Sequence, residues 1–144
     1  MRRREASPGI RSNAGHVWRV TPTGTITEFP TPGRVNLADV TVGADGNLWF
    51  TATYTPAIVR SDYAGNMTMF PLSSGASPQL ICAGPDGNVW FTDPGSNSLN
   101  RITLTGVITS YALVYAPFAI TTGPDGAIWF TEPEPARIGR FLAP

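Results

Sequence analysis

Little in this chain of 144 residues carries charge: ten basic and ten acidic residues give a formal net charge of zero. Every basic residue is Arg, with no Lys at all. Four of those arginines (Arg2, Arg3, Arg4 and Arg11) precede His16, so the rest is mildly acidic and carries no footprint for nucleic acid. A single cysteine, Cys82, excludes an internal disulfide framework. Cys82 stands where neighbouring stretches have Thr41 and Thr121, which predicts a small buried side chain rather than a reactive thiol. No apolar run is long enough to span a membrane, and Met1-Arg-Arg-Arg4 leads into no signal-type apolar segment. The lack of signal segment and disulfides points to a cytoplasmic protein; a start lying further upstream would leave export open. A helical period of apolar residues is also missing throughout.

What is present is repetition. Gly43-Ala-Asp-Gly-Asn-Leu-Trp-Phe-Thr51 returns as Gly84-Pro-Asp-Gly-Asn-Val-Trp-Phe-Thr92 and again as Gly123-Pro-Asp-Gly-Ala-Ile-Trp-Phe-Thr131. A period of about 40 residues marks a repeat architecture. Asp-Gly between apolar β-formers is a strong hairpin signal, and Leu/Val/Ile-Trp-Phe is apolar on consecutive residues. A strand with one wet face would alternate, so both faces must be covered. With no helices available, sheets must cover sheets.

A second phrase lies between the copies of the first: Val17-Trp-Arg-Val-Thr-Pro-Thr-Gly-Thr-Ile-Thr-Glu-Phe29, then residues 58–70 and 99–111. Gly24, Gly65 and Gly106 fall where a tight turn requires positive φ. The reading is all-β: a β-propeller of four-stranded antiparallel blades, about three to three and a half of them, forming an incomplete ring. With strands a to d counted outward from the axis, residues 16–33 supply c and d of one blade. Residues 34–75 and 76–116 are full blades, residues 117–144 a partial one, and residues 1–15 a disordered basic tail. Three blades' worth of strands cannot close a ring, so the expected partner is a second copy of the chain, or missing blades of a longer product. Arg60, Arg101 and Arg140, one per blade, read as structural groups pairing with backbone or carboxylates. Trp49, Trp90 and Trp129 read as core.

These phrases, over about residues 16–144, resemble the repeats of the streptogramin lyase (virginiamycin B lyase) family. The resemblance implies a seven-bladed propeller about twice this chain in length. It also implies a Mg²⁺-dependent elimination that linearises streptogramin B antibiotics at their ester linkage. The family's pattern places a catalytic His fourteen residues before the Glu of a Trp-Phe-Thr-Glu phrase. A further Glu stands two residues before that His. In this chain Glu132 matches the Trp-Phe-Thr-Glu acid, but Phe118 occupies the His position and Ala116 that of the further Glu. One blade earlier the pair is Gln79 and Asp93, and before that Ala38 and Ala52. The catalytic His is thus absent from every blade of the chain, and its one histidine, His16, opens an outer strand as a solvated residue.

Asp93 and Glu132 are expected on one rim of adjacent blades beside Gln79 and Phe118, as a rim able to bind a ligand. The two acids are candidate Mg²⁺ ligands and equally read as solvated rim residues. Two functions follow as expectations: a lyase-family propeller piece that is inactive alone, or a non-catalytic module holding a small molecule, protein, peptide or glycan at its rim. A sugar-lactone hydrolase of the related propellers would need a metal cage of acids and Asn that this sequence does not assemble.

Overall fold

The computed structural model describes residues 15–144, all of them in or between antiparallel strands apart from one short 3-10 turn. The tail expected over residues 1–15 lies outside the described residues except for Gly15. Gly15 is buried, and its carbonyl accepts the Thr31 amide at 2.8 Å.

Strands β1 (His16–Val20) and β2 (Ile26–Pro30) form a hairpin. A first four-stranded sheet follows in the order β3 (Leu37–Val42), β4 (Leu48–Ala52), β5 (Ala57–Ser61) and β6 (Met67–Pro71). A second comprises β7 (Ile81–Ala83), β8 (Val89–Asp93), β9 (Ser98–Ile102) and β10 (Ile108–Ala112). The last sheet has β11 (Ile120–Thr122), β12 (Ala127–Glu132) and β13 (Arg137–Leu142). Chain order equals spatial order throughout, and contacts between sheets run through the innermost strands β3, β7 and β11. This is the blade arrangement of a β-propeller, with strands c-d, a-b-c-d, a-b-c-d and a-b-c. No helix among the described residues is long and apolar enough to cross a membrane.

The consecutive apolar residues of each b strand work because alternate side chains enter different inter-blade layers. Phe50, Ala57 and Val59 pack with Val17 and Val35 toward the first hairpin. Trp49 and Ile58 point the other way and meet Val89, Phe91 and Ile102 of the next blade. Trp90 and Leu99 repeat the pattern against Ile128 and Phe130. Trp49 and Trp90 are fully buried. Trp129, on the outward face of the last blade, is only half-buried.

The Asp-Gly-x-x-Trp spacing has a specific use. Asp45, Asp86 and Asp125 each accept the indole Nε1–H of the Trp four residues on, at 3.1, 2.9 and 2.9 Å. The same carboxylates accept the amides of Asn47, Asn88 and Ala127 that close the turn. Desolvation pushes Asp86 up, but hydrogen bonds from Asn88 and Trp90 outweigh it and hold the carboxyl below its usual value. At Asp125 the Trp129 and Arg140 hydrogen bonds bring it to about 2. The phrase opens on Gly because the indole lies against that backbone: a Cβ on Gly84 would stand 2.2 Å from Trp90 Cδ1.

The first two repeated arginines tie blade to blade, and the last two bind carboxylates of their own blades. Arg19 Nη1 donates to the Tyr63 carbonyl at 2.8 Å, and Arg60 Nη1 to the Leu104 carbonyl at 2.9 Å. Arg101 instead faces Asp86 at 3.6 Å and Arg140 bonds Asp125 at 2.8 Å. Cys82 is half-buried, and burial pushes its thiol up to about 11, so it is protonated and unreactive at neutral pH.

Candidate functional site

A recurrent β-bulge builds the rim on which the candidate residues stand. In the first full blade the register steps between Leu37 and Asp39, so Ala38 is the extra residue opposite the end of β4. The second and third blades repeat this: Gln79 N–H donates to the Thr92 carbonyl and Phe118 N–H to the Thr131 carbonyl, at 2.9 and 2.8 Å. Two residues facing one leave a backbone amide without a ladder partner, and bulges of this kind re-aim a side chain. The Thr of Trp-Phe-Thr supplies the missing acceptor. Thr51, Thr92 and Thr131 Oγ1 accept the amides of Asp39, Leu80 and Ala119 at 3.1, 3.3 and 3.0 Å.

The same hydroxyl then reaches the next blade. Thr51 Oγ1 donates to the Gln79 carbonyl and Thr92 Oγ1 to the Phe118 carbonyl, both at 2.7 Å. Gln79 and Phe118 are therefore held through the N–H by their own blade and through the C=O by the preceding one. A side chain mounted there has a fixed origin, which is what a catalytic group requires. Sequence reasoning placed Gln79 and Phe118 on this rim but missed the Thr clamp. The signal was the Thr that closes each copy of the phrase.

The occupants are not acid–base groups. Ala38 is exposed, Phe118 is 48% exposed, and Gln79 spends its side-chain amide on Ser77 Oγ at 3.2 Å. Asp93 is 4% exposed. Its Oδ1 accepts the Ser77 and Ser96 amides at 2.8 and 3.2 Å, so it holds two loops together and is not a solvated rim acid. Glu132 is half-buried at the matching position one blade on, in register with Arg137. Among the described residues, no three His, Cys, Asp or Glu side chains come together in a way that could hold a metal ion. Asp93 and Glu132 thus stand as single acids on successive blades, with Asp93 already engaged through Oδ1. His16 lies away from this rim chemistry, 3.7 Å from Glu28 across the first hairpin.

Comparison with known proteins agrees with this geometry. Residues 36–143 match the model of the Virginiamycin B lyase family. No curated protein sequence matches the chain. Among solved structures, virginiamycin B lyase from Staphylococcus aureus superposes with a TM-score of 0.86 at 33% identity, over 92% of this chain and 47% of that one. A streptogramin B lyase structure gives 0.80 at 31%, over 92% and 49%. A catalytically inactive variant of the S. aureus enzyme with quinupristin gives 0.81 at 30%, over 91% and 50%. The chain spans about half the length of these relatives. Repeat wording, blade order and this match together place the chain in the virginiamycin B lyase family.

Proposed function

We propose that this chain supplies propeller blades and a ligand-contacting rim of the streptogramin lyase type, without the family's acid–base group. The observation that carries this reading is the occupancy of the clamped rim positions: Ala38, Gln79 and Phe118 stand where a proton-transferring His would stand. None of the three titrates near neutral pH, and general acid–base catalysis is worth roughly 100- to 10,000-fold. With quinupristin and Mg²⁺ under conditions where the S. aureus enzyme turns over, the chain alone is expected to be at least about 100-fold slower. Mass spectrometry of the linear product measures this. Linearisation at a comparable rate would overturn the reading. Any magnesium used in such a reaction would need ligands beyond Asp93 and Glu132, which contribute at most two carboxylates.

The reading also requires more blades. Leu99 is fully buried under the last blade, whereas Ile138 at the matching place on that blade is 72% exposed. At the other end Ile26 is 67% exposed. Burial of such side chains is worth about 1.5–3 kcal/mol each, so the two end faces favour association with each other or with blades of a longer product. Light scattering of the 144-residue chain at micromolar concentration is expected to give at least twice the monomer mass. A monodisperse monomer would dispose of association through these faces.

A further inference from the structure

The layer between the two full blades contains a pocket with buried polar residues in its lining. In the first full blade, Ala52, Ala57 and Val59 are buried in an apolar cluster against the first hairpin. The matching positions of the second blade are Asp93, Ser98 and Asn100, with Ser110 where the first has Met69. Asp93, Ser98 and Asn100 are only 4, 5 and 4% exposed. They form the floor of a cavity of about 380 Å³, whose mouth carries Ser73, Ser96 and Ser110. Its apolar wall is Leu72, Phe91 and Ile108. The cavity is in the outer half of the blade pair, away from the innermost strands that carry Gln79 and Phe118.

The polar floor is ordered by its own bonds. Asn100 Nδ2 donates to Ser98 Oγ at 2.8 Å, and Ser98 Oγ shares a 2.7 Å hydrogen bond with Ser96 Oγ. Asp93 is anchored through Oδ1 alone by the two amides of Ser77 and Ser96. Among the described residues, no Arg or His pairs with Asp93 and no basic side chain lines the cavity. A charge taken out of water needs hydrogen bonds or a counter-charge, and here two amides supply the hydrogen bonds, so a cation at the cavity would add the counter-charge. Among the described residues, hydrogen bonds reach Asp93 through Oδ1 and none reaches its second oxygen.

We propose that this cavity is a binding site for a primary ammonium carried on a hydroxylated, sugar-sized body. The ammonium meets Asp93, the hydroxyls meet the Ser98–Asn100 floor and Ser110, and the carbon skeleton lies on Leu72 and Ile108. The volume falls within the range of small-ligand pockets. Neither Gln79 nor Phe118 lines this cavity, although Ser77 links its Asp93 to Gln79.

The test uses glucosamine as the probe and glucose as its neutral counterpart, titrated into the 144-residue chain by calorimetry. Saturable binding of glucosamine, at least tenfold tighter than glucose, is expected. Asp93→Asn is expected to erase that preference. The double variant Ser98→Ala/Asn100→Val restores the small and apolar residues of the preceding blade, so it is expected to keep or raise the melting temperature while abolishing binding. Absence of saturable glucosamine binding, equal binding of glucose, or binding that survives both variants would overturn the proposal. Unfolding of the double variant would equally overturn it, by showing the polar floor to be structural.

Discussion

Trp90→Ala is expected to cost about 3–5 kcal/mol of stability, the usual range for truncating a buried large aromatic. Trp90 is wholly inaccessible. Its indole stacks on Tyr111 with ring centroids 5.5 Å apart and meets Phe141 of the next blade at 5.6 Å. Truncation therefore opens a void between two blades and removes the donor that Asp86 holds at 2.9 Å. Trp90→Phe keeps most of the packing and loses only that hydrogen bond, so it should cost about 1–2 kcal/mol beyond the volume change. Trp129→Ala is the internal control: it makes the same bond to Asp125 but is half-buried on the outward face, so its cost should be clearly smaller. Urea denaturation followed by circular dichroism measures all three. Equal losses at Trp90 and Trp129 would show that inter-blade packing is not what the tryptophan contributes.

The contrast between these two tryptophans also marks how far the sequence could be read. Trp49, Trp90 and Trp129 are indistinguishable in their phrases, and all three read as core. Only position in the row of blades separates them, because the last blade has no neighbour on its outer side among the described residues. The strand order and the positive φ of Gly24, Gly65 and Gly106 (84°, 90° and 97°) were legible from repetition alone. Repetition reports what every blade shares, and shared features are the fold.

What repetition hides is the partner of each shared residue. The arginines read as structural, but the carbonyl acceptors of Arg19 and Arg60 lie 44 residues on, and no local pattern marks them. Asp93 was legible as a rim position and not as a buried one. Its environment depends on Ser77 and Ser96, which belong to loops that vary from blade to blade. The polar floor beneath it could have been found by aligning the blades and asking where an apolar column turns polar. Ala57 to Ser98 and Val59 to Asn100 are such departures. In a repeat protein, departures from the repeat are where the search for function begins.

Thr92→Val tests the bulge clamp that links fold to rim, and is expected to cost about 2–4 kcal/mol. The substitution is nearly isosteric and the site is fully buried, so packing changes little. What is lost is one hydroxyl with two opposed duties: accepting the Leu80 amide at 3.3 Å and donating to the Phe118 carbonyl at 2.7 Å. Each group left unpaired in a buried setting costs about 1–3 kcal/mol. Thr92→Ser keeps the hydroxyl and removes a methyl, so it should recover most of the loss. Thr131→Val removes only the bond from the Ala119 amide at 3.0 Å, in a half-buried setting, and should cost less than half as much. Denaturant midpoints rank the three variants. Because Thr92 holds the carbonyl of residue 118, the valine variant should also broaden the Phe118 amide resonance and those of its neighbours in a nuclear magnetic resonance spectrum. The Gln79 carbonyl, held by Thr51 across the other interface, should be unaffected. Loss of stability without a local change at Phe118 would leave Thr92 as a packing residue. Loss of both would establish that the inter-blade hydroxyl fixes the rim position.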